Sequence, residues 1–354
     1  MARLADPLKG FETDLETQRR YLADQVAAYG RLLELLPQAL AGAPRERLAA
    51  VWAKREFGAF YERPLLLLAS LRDEALREGP GHPLWTAVGT DQPSPGDLTQ
   101  AALATAFESD RVWELLATRH IQTNETSRAV AWLWPAALLA KAVPGTSLEL
   151  YDLGASAGLN LVADRLAAIW EDGRGKRLPV SPTPEIAGRR GFDLRPVNAL
   201  DPDTERWLRA CIWPGQNERL ARFDQAIATL RELAATGDAP EIEELAAVEI
   251  PVALRHDGDH VKLAYQTVVR DYLTPDDRAA YETGMLSWLA GSSPGRAIWI
   301  QLELEGGVEV AKPFGLTARI AGTEEVFMLA RCDPHPRILV VDDEQVARFL
   351  RAAA

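Results

Sequence analysis

Cysteine and histidine are scarce in this sequence. Among its 354 residues there are two cysteines, Cys211 and Cys332, and five histidines. The two cysteines are too far apart for a Cys-x-x-Cys pair, which argues against a thiolate metal site and against a disulfide framework. We therefore expect free thiols in a reducing compartment.

Long apolar runs and a basic excess are also missing. No stretch approaches the roughly 20 apolar residues of a membrane span, and the first 25 residues lack the apolar segment of a secretory signal. The formal net charge is −12, which disfavours a surface that captures nucleic acid through its phosphates. We expect a cytoplasmic protein whose partner is a small molecule, with no nucleic acid and no membrane. The composition does not indicate an oligomeric state.

Helical spacing dominates the first 145 residues. One apolar stripe with this spacing consists of Leu15, Leu22, Val26, Tyr29 and Leu33. Pro64 is placed at an early position of the next helix, where its missing N–H costs nothing. No alternating strand is found before residue 146, so the pattern predicts an all-helical region, 1–145, that caps a second domain, 146–354.

The pattern changes after residue 146. Apolar runs that are typical of strands now alternate with helical segments, which predicts a mostly parallel sheet covered on both faces, with an antiparallel end. The strand-like runs lie at 148–153, 189–197, 248–256, 260–269, 296–306, 325–333 and 336–343, and a helix is predicted at 158–170 directly after the first of them.

The stretch LELYDLGASAGLNL, 148–161, supports two interpretations of Ser156. Gly-Ala-Ser-Ala-Gly matches the G-x-S-x-G turn of a serine hydrolase, in which the serine is the nucleophile. That fold places several strands and an oxyanion loop before the serine, whereas this chain predicts only helices there. Partners for a triad can be named, His335 with Asp271 or Asp333, but the missing strands make the hydrolase the weaker alternative.

The second interpretation is a cofactor loop. Gly154 allows a sharp turn after the strand, the small residues 155–157 let the backbone approach a ligand, and Gly158 starts the next element close to the sheet. Residue 159 is leucine, so the G-x-G-x-x-G spacing of loops that bind NAD or FAD is absent.

Asp152-x-Gly154-x-Ser156-x-Gly158 resembles the first motif of class I S-adenosylmethionine-dependent methyltransferases, D-x-G-x-G-x-G, with serine at the middle glycine. This resemblance implies a Rossmann-like, methyltransferase-type α/β sheet with S-adenosylmethionine as the cofactor. Asp152 and the 154–158 loop would hold the methionine part.

A second phrase resembles the same family. Gly191-Phe192-Asp193-Leu194-Arg195-Pro196 is similar to the G-x-D-x-x-P segment whose acidic residue binds the ribose hydroxyls, which implies that role for Asp193. The alternative is a turn or helix-capping aspartate. The separation between residues 158 and 193 requires an insertion at 171–190.

The remaining predicted site residues lie elsewhere in the chain. Asn160 and Gln266 are expected to contact the cofactor, and Glu125 or Asp271 is the predicted general base if the acceptor carries a proton. Asn124 and Glu125 could equally begin a helix. The cluster RHDGDH, 255–260, could suggest a metal site, but Asp-Gly between strand-like runs favours a turn, and no metal is predicted.

At whole-chain scale the sequence resembles the bacterial family called domain of unknown function 2332. The segments that carry this resemblance are 122–128, 150–161, 188–202 and 206–223. The family implies no reaction, so the functional hypothesis rests on the glycine loop. It is an S-adenosylmethionine-dependent methyltransferase acting on a small-molecule acceptor, and the alternative is a non-catalytic module with the same fold.

Overall fold

The computed structural model of the protein describes residues 6–96, 98–256, 258–305 and 312–354. Its helices are α1 Phe11–Leu22, α2 Ala27–Ala39, α3 Ala43–Trp52, α4 Glu62–Glu78, α5 Gln100–Ala106, α6 Asp110–Thr118, α7 Val130–Ala142, α8 Pro202–Ala210, α9 Asn217–Thr236, α10 Ile250–Ala253, α11 Pro275–Gly291 and α12 Asp343–Ala353. Its strands are β1 Ser147–Leu153, β2 Glu171–Asp172, β3 Glu185–Asp193, β4 Glu241–Glu244, β5 Val261–Thr267, β6 Ala297–Leu304, β7 Phe314–Ile320, β8 Phe327–Cys332 and β9 Ile338–Val341.

Two compact units divide the chain. The first contains Met1–Thr123 and Asp201–Ala221, and the second contains Asn124–Leu200 and Arg222–Ala354. The predicted division into a helical cap region, 1–145, and an α/β domain, 146–354, stays a prediction. Within the described ranges, no helix is both long and apolar enough to cross a bilayer.

The first unit is helical. All five residues of the predicted apolar stripe are buried in its core, and no strand precedes β1 in the part of the chain that the structure describes. The indole of Trp207, on α8, is buried in the same core. A buried ion pair between Asp14 and Arg63 joins α1 to α4, with Arg63 Nε 2.9 Å from Asp14 Oδ2.

The second unit is built around a sheet with strand order β2-β9-β8-β7-β6-β5-β1-β3-β4. The five strands from β6 to β4 in that order are parallel, and β7, β8 and β9 follow β6 as an antiparallel meander. The predicted mixed α/β class, with a mostly parallel sheet and an antiparallel end, is confirmed.

Side chains of β1 alternate between the two faces of the sheet, as the period of a strand requires. Leu148 and Leu150 are buried in one core, which also contains the apolar residues of α7. Tyr151 and Leu153 are buried in the other, which includes residues of α11. The central strand is therefore covered on both faces, as its largely apolar sequence predicts.

Two of the predicted elements are wrong, and three strands, β2, β4 and β7, were not predicted. In place of a helix over 158–170 there is a 3₁₀ helix, Leu159–Arg165, because the chain then becomes extended and Trp170 Nε1 donates to the Ser127 carbonyl at 2.7 Å. The strand predicted at 248–256 is instead α10, which has Pro251 in its first turn. Of the three unpredicted strands, β7 separates β6 from the predicted terminal pair.

Candidate functional site

The candidate site lies where the parallel strands β1 and β5 end side by side. From this point β3 and β4 extend the sheet in one direction and β6 extends it in the other. In open α/β sheets, ligands bind outside the carboxyl ends of the strands at such a reversal of strand order. The loops that follow β1 and β5 are therefore the first place to look for a site.

Backbone strain is concentrated in these two loops. Among the described residues, only Ser156 and Val268 adopt a positive φ without being glycine, with values of 51° and 58°. The left-handed region is unfavourable for a β-branched residue such as valine, and each such residue costs on the order of 1–3 kcal/mol. Strain of this kind persists where the surroundings fix the backbone, and it is common at ligand sites.

Both glycines of the first loop are required by its geometry. Gly154 has φ 96°, and a Cβ at this residue would lie 2.7 Å from Val269 Cγ2 in the second loop. Gly158 has φ 72°, and its Cβ would lie 2.8 Å from Ile242 Cδ1 on β4. These positions need glycine for conformation and for space, as the sequence predicts.

Asp193, at the end of β3, holds the first loop by its backbone. Its Oδ2 accepts a hydrogen bond from the Ser156 N–H at 2.8 Å, and its Oδ1 accepts from the Arg195 N–H at 2.8 Å. The second bond forms an Asx turn, so the alternative role as a turn aspartate is present in the structure. The contact with Ser156 also places this carboxylate at the glycine loop.

Asn124 also forms hydrogen bonds with the glycine loop, although it lies 32 residues before Ser156 in the sequence. Its Nδ2 donates to Ser156 Oγ at 3.1 Å, and its Oδ1 accepts from the Ala157 N–H at 3.3 Å.

No histidine among the described residues hydrogen-bonds to Ser156. The imidazole of His335 instead lies against Glu125, with Nδ1 3.3 Å from Oε2. In the described part of the chain, the side chain that hydrogen-bonds to Ser156 Oγ is therefore an amide, that of Asn124.

Asp152 is buried beneath the loop. Its Oδ2 accepts a hydrogen bond from the Tyr265 hydroxyl at 2.7 Å. Burial raises the pKa of Asp152 from 3.8 to about 7; the Tyr265 bond opposes this shift and the negative charge of Asp193 adds to it. The side chain therefore changes its charge near neutral pH, although it is shielded from solvent.

Glu125 is held by several groups. Its side chain is 2% exposed, and its Oε1 accepts from the Ser127 N–H at 3.0 Å and from Arg222 Nη2 at 3.2 Å. It is the N-cap of the 3₁₀ helix Thr126–Ala129, so a helix does start here, but the cap is Glu125 and not Asn124 as the alternative interpretation predicts. Asn124 and Glu125 thus connect the glycine loop to a buried charged cluster.

Gln266 belongs to a buried network at the end of β5. Its Oε1 accepts from the Tyr281 hydroxyl at 2.6 Å and from Trp299 Nε1 at 3.0 Å. Its Nε2 donates to Glu303 Oε1 at 2.7 Å. Glu303 is 1% exposed, and burial raises the pKa of its carboxyl.

The other predicted residues are more loosely connected. Asp271 is exposed in the 3₁₀ helix Arg270–Tyr272. The main-chain oxygen of Asn160 accepts from Trp132 Nε1 at 2.8 Å, while its Oδ1 is buried without a hydrogen bond. In the cluster 255–260, His260 Nδ1 lies 2.9 Å from Ser147 Oγ and Asp257 is outside the described residues. Over the described ranges, no three His, Cys, Asp or Glu side chains converge as a metal site would require.

One family model matches residues 14–340 of the chain, and its description is uncharacterized protein conserved in bacteria, DUF2332. The chain belongs to this family. No curated protein matches it. The matched range includes both strained loops and every predicted site residue, so the candidate site of this DUF2332 protein lies inside the family region.

Sequence reasoning missed three contributors to the site in this DUF2332 chain. Val268 and Glu303 were not considered, and Tyr265 was not linked to Asp152. The available signal for Glu303 was a charged residue in the otherwise apolar run AIWIQLEL of β6. Buried charges are uncommon unless they are paired or hydrogen-bonded, so a glutamate in such a strand indicates a specific partner.

Proposed function

We propose that the protein binds S-adenosylmethionine at the ends of β1 and β5 and transfers its methyl group to a small-molecule acceptor. The observation that carries the proposal is the glycine loop after β1, whose backbone N–H groups are all bonded within the protein. This loop lies beside a second strained loop at the reversal of strand order.

The hydrogen bonds of the loop distinguish between classes of nucleotide cofactor. The N–H groups of Gly154 and Ala155 both donate to the Phe192 carbonyl, and those of Ser156 and Ala157 donate to Asp193 and Asn124. The Gly158 N–H donates to the Ala155 carbonyl at 2.8 Å. Binding of a pyrophosphate uses free N–H groups at the start of an α-helix. Because the N–H groups of residues 154–158 are all bonded within the protein, the loop itself favours a cofactor that has no phosphate.

The strand order supports a nucleotide-like ligand. The order β4-β3-β1-β5-β6 corresponds to 3-2-1-4-5 when these five parallel strands are numbered along the chain. This is the order of doubly wound nucleotide-binding sheets, in which the first loop carries the glycines. The meander β7-β8-β9 extends this core on one side.

Asp193 would bind the ribose of the cofactor. A carboxylate has about four lone-pair sites, and two of them are used by Ser156 and Arg195. The other two remain for the ribose hydroxyls. The two backbone bonds also fix the orientation of the carboxylate before the cofactor arrives.

The chain's part in methyl transfer would be to bind and orient the reactants and to exclude water, which is effective when two reactants are held at near-attack distance. When bound, S-adenosylmethionine supplies a reactive sulfonium methyl group. If the acceptor carries a proton, Asp271 is the more available base, because it is exposed and accepts no hydrogen bond from a described residue. Glu125 is already engaged by Ser127 and Arg222.

Titration calorimetry with S-adenosylmethionine and with its demethylated product, S-adenosylhomocysteine, tests the proposal. We expect binding by the unmodified protein and by Ser156→Gly. Asp193→Asn should weaken binding about 10- to 100-fold, because it removes charge-assisted hydrogen bonds worth roughly 1.5–3 kcal/mol.

Asp342→Asn is the matched control for the Asp193→Asn variant. Asp342 also accepts a backbone N–H, from Gln345 at 3.0 Å, but it caps α12. The Asp342 variant should bind S-adenosylmethionine with unchanged affinity. If neither the unmodified protein nor Ser156→Gly binds, the non-catalytic module becomes the better account.

A further inference from the structure

Glu303 forms hydrogen bonds with the strained second loop. Its Oε1 accepts from the Val269 N–H at 3.0 Å, and its Oε2 lies 3.4 Å from the Arg270 nitrogen. These two residues directly follow Val268, whose own N–H continues the sheet by donating to the Leu302 carbonyl at 3.0 Å. The carboxylate thus bonds the backbone at the point where the loop leaves the regular β conformation.

The surrounding network fixes which way Gln266 faces. Its carbonyl oxygen already accepts from Tyr281 and Trp299, so its amide nitrogen is directed at Glu303. The Glu303 carboxylate therefore accepts from three N–H groups, those of the Gln266 amide and of the Val269 and Arg270 backbone. Only a side chain that accepts at this position satisfies them, and leaving buried donors without a partner is costly.

The second loop in turn forms part of the proposed cofactor site. The Val269 side chain occupies the space beside Gly154, where a Cβ would come within 2.7 Å of Val269 Cγ2. A shift of the backbone at Val269 would change the surface that faces the glycine loop. Glu303 is thereby linked to Gly154 through a single residue.

We propose that Glu303 is a positioning residue that holds the 268–272 loop against the glycine loop and so shapes one wall of the ligand site. The effect on ligand affinity rests on the proposed function. The effect on the loop does not, because it follows from the hydrogen bonds alone.

Two variants at Glu303 and one at Gln301 separate positioning from general stability. Glu303→Met keeps the length of the side chain and removes every acceptor, whereas Glu303→Gln keeps one oxygen that can accept from Gln266 and Val269. Gln301→Met is the matched control. Gln301 is buried on the same face of β6 and lies opposite Gln266 in the sheet register, but its side-chain oxygen accepts from Thr317 of β7 and does not bond the 268–272 loop.

Hydrogen exchange of the unliganded protein, followed by mass spectrometry, measures the loop directly. We expect faster exchange in peptides that cover 266–273 in Glu303→Met, an intermediate rate in Glu303→Gln, and the unmodified rate in Gln301→Met. Equal rates in Glu303→Met and the unmodified protein would overturn the proposal, and so would equal acceleration in Gln301→Met. Should Glu303→Met not fold, the comparison of Glu303→Gln with Gln301→Met decides.

Affinity for S-adenosylhomocysteine supplies the second measurement. By analogy with residues that orient the ligands of metal sites, whose removal weakens binding about 10- to 100-fold, we expect a loss of that order in Glu303→Met, with Glu303→Gln in between. Unchanged affinity in Glu303→Met would overturn the role at the ligand site. If the unmodified protein does not bind, the proposed function fails, while the exchange rates still decide the role of Glu303 in the loop.

Discussion

The buried carboxyl of Asp152 should make the stability of the second unit depend on pH. Its pKa is 3.8 when unperturbed and about 7 in the folded protein, so the folded state binds the proton more tightly than the unfolded state does. The stability from this group is complete below pH 3.8 and is lost as the pH rises to about 7. Above about pH 7, folding buries the charged carboxylate of Asp152, which is unfavourable.

Asp152→Asn removes this dependence and retains an oxygen for the Tyr265 hydroxyl. One pKa unit corresponds to about 1.36 kcal/mol. Because of Asp152, the free energy of unfolding of the unmodified protein should fall by roughly 2–3 kcal/mol as the pH rises from 5 to 8. The free energy of unfolding of Asp152→Asn, relative to the unmodified protein, should rise by about that amount over the same interval. Glu303 also has a raised pKa, but it is present in both proteins and cancels.

Urea denaturation at pH 5 and pH 8 measures the difference. Asp172→Asn is the control, because backbone hydrogen bonds, chiefly from Lys176, lower the pKa of Asp172. Its contribution is lost only at acid pH, so its effect should be nearly the same at pH 5 and pH 8. A difference between Asp152→Asn and the unmodified protein that does not change with pH would refute the assignment of Asp152.

Three further predictions concern the first loop. Gly158→Val should lower the free energy of unfolding by roughly 1–3 kcal/mol, measured by urea denaturation, because its side chain meets Ile242; unchanged stability would show that the loop is not tightly packed. Gly154→Ala should weaken binding of S-adenosylhomocysteine in calorimetry, since its Cβ displaces Val269, and equal affinity would contradict the loop contact. Hydrolysis of a p-nitrophenyl ester should not exceed background, and turnover that disappears in Ser156→Ala would restore the hydrolase interpretation.

Elements with a strong local pattern could be predicted from the sequence. β1, β5 and β6 are largely apolar runs in the centre of the sheet, where burial on both faces selects such residues. β4 was not predicted because only Ile242 is apolar in its sequence EIEE. The 3₁₀ helix after Gly158 was predicted as a longer helix because the helical period does not reveal that Trp170 is bonded to Ser127.

In the candidate site, the glycine motif at 154–158 could likewise be predicted from the sequence. Gly154 and Gly158 follow from the chemistry of a tight turn, which a short stretch of sequence reveals. The network of Gln266, Tyr281 and Glu303 could not be predicted, because its hydrogen bonds join residues 15 and 37 positions apart. Such contacts depend on the strand order β1-β5-β6, which no local pattern specifies.

The central claim is that a nucleotide-like cofactor without phosphate binds at the ends of β1 and β5. Hydrogen exchange of the full chain, with and without saturating S-adenosylhomocysteine, localises such binding. The account predicts slower exchange in peptides that cover 150–161, 189–197 and 264–273, and little change in peptides from α12. Protection confined to other parts of the chain, or no protection at saturating ligand, would contradict it.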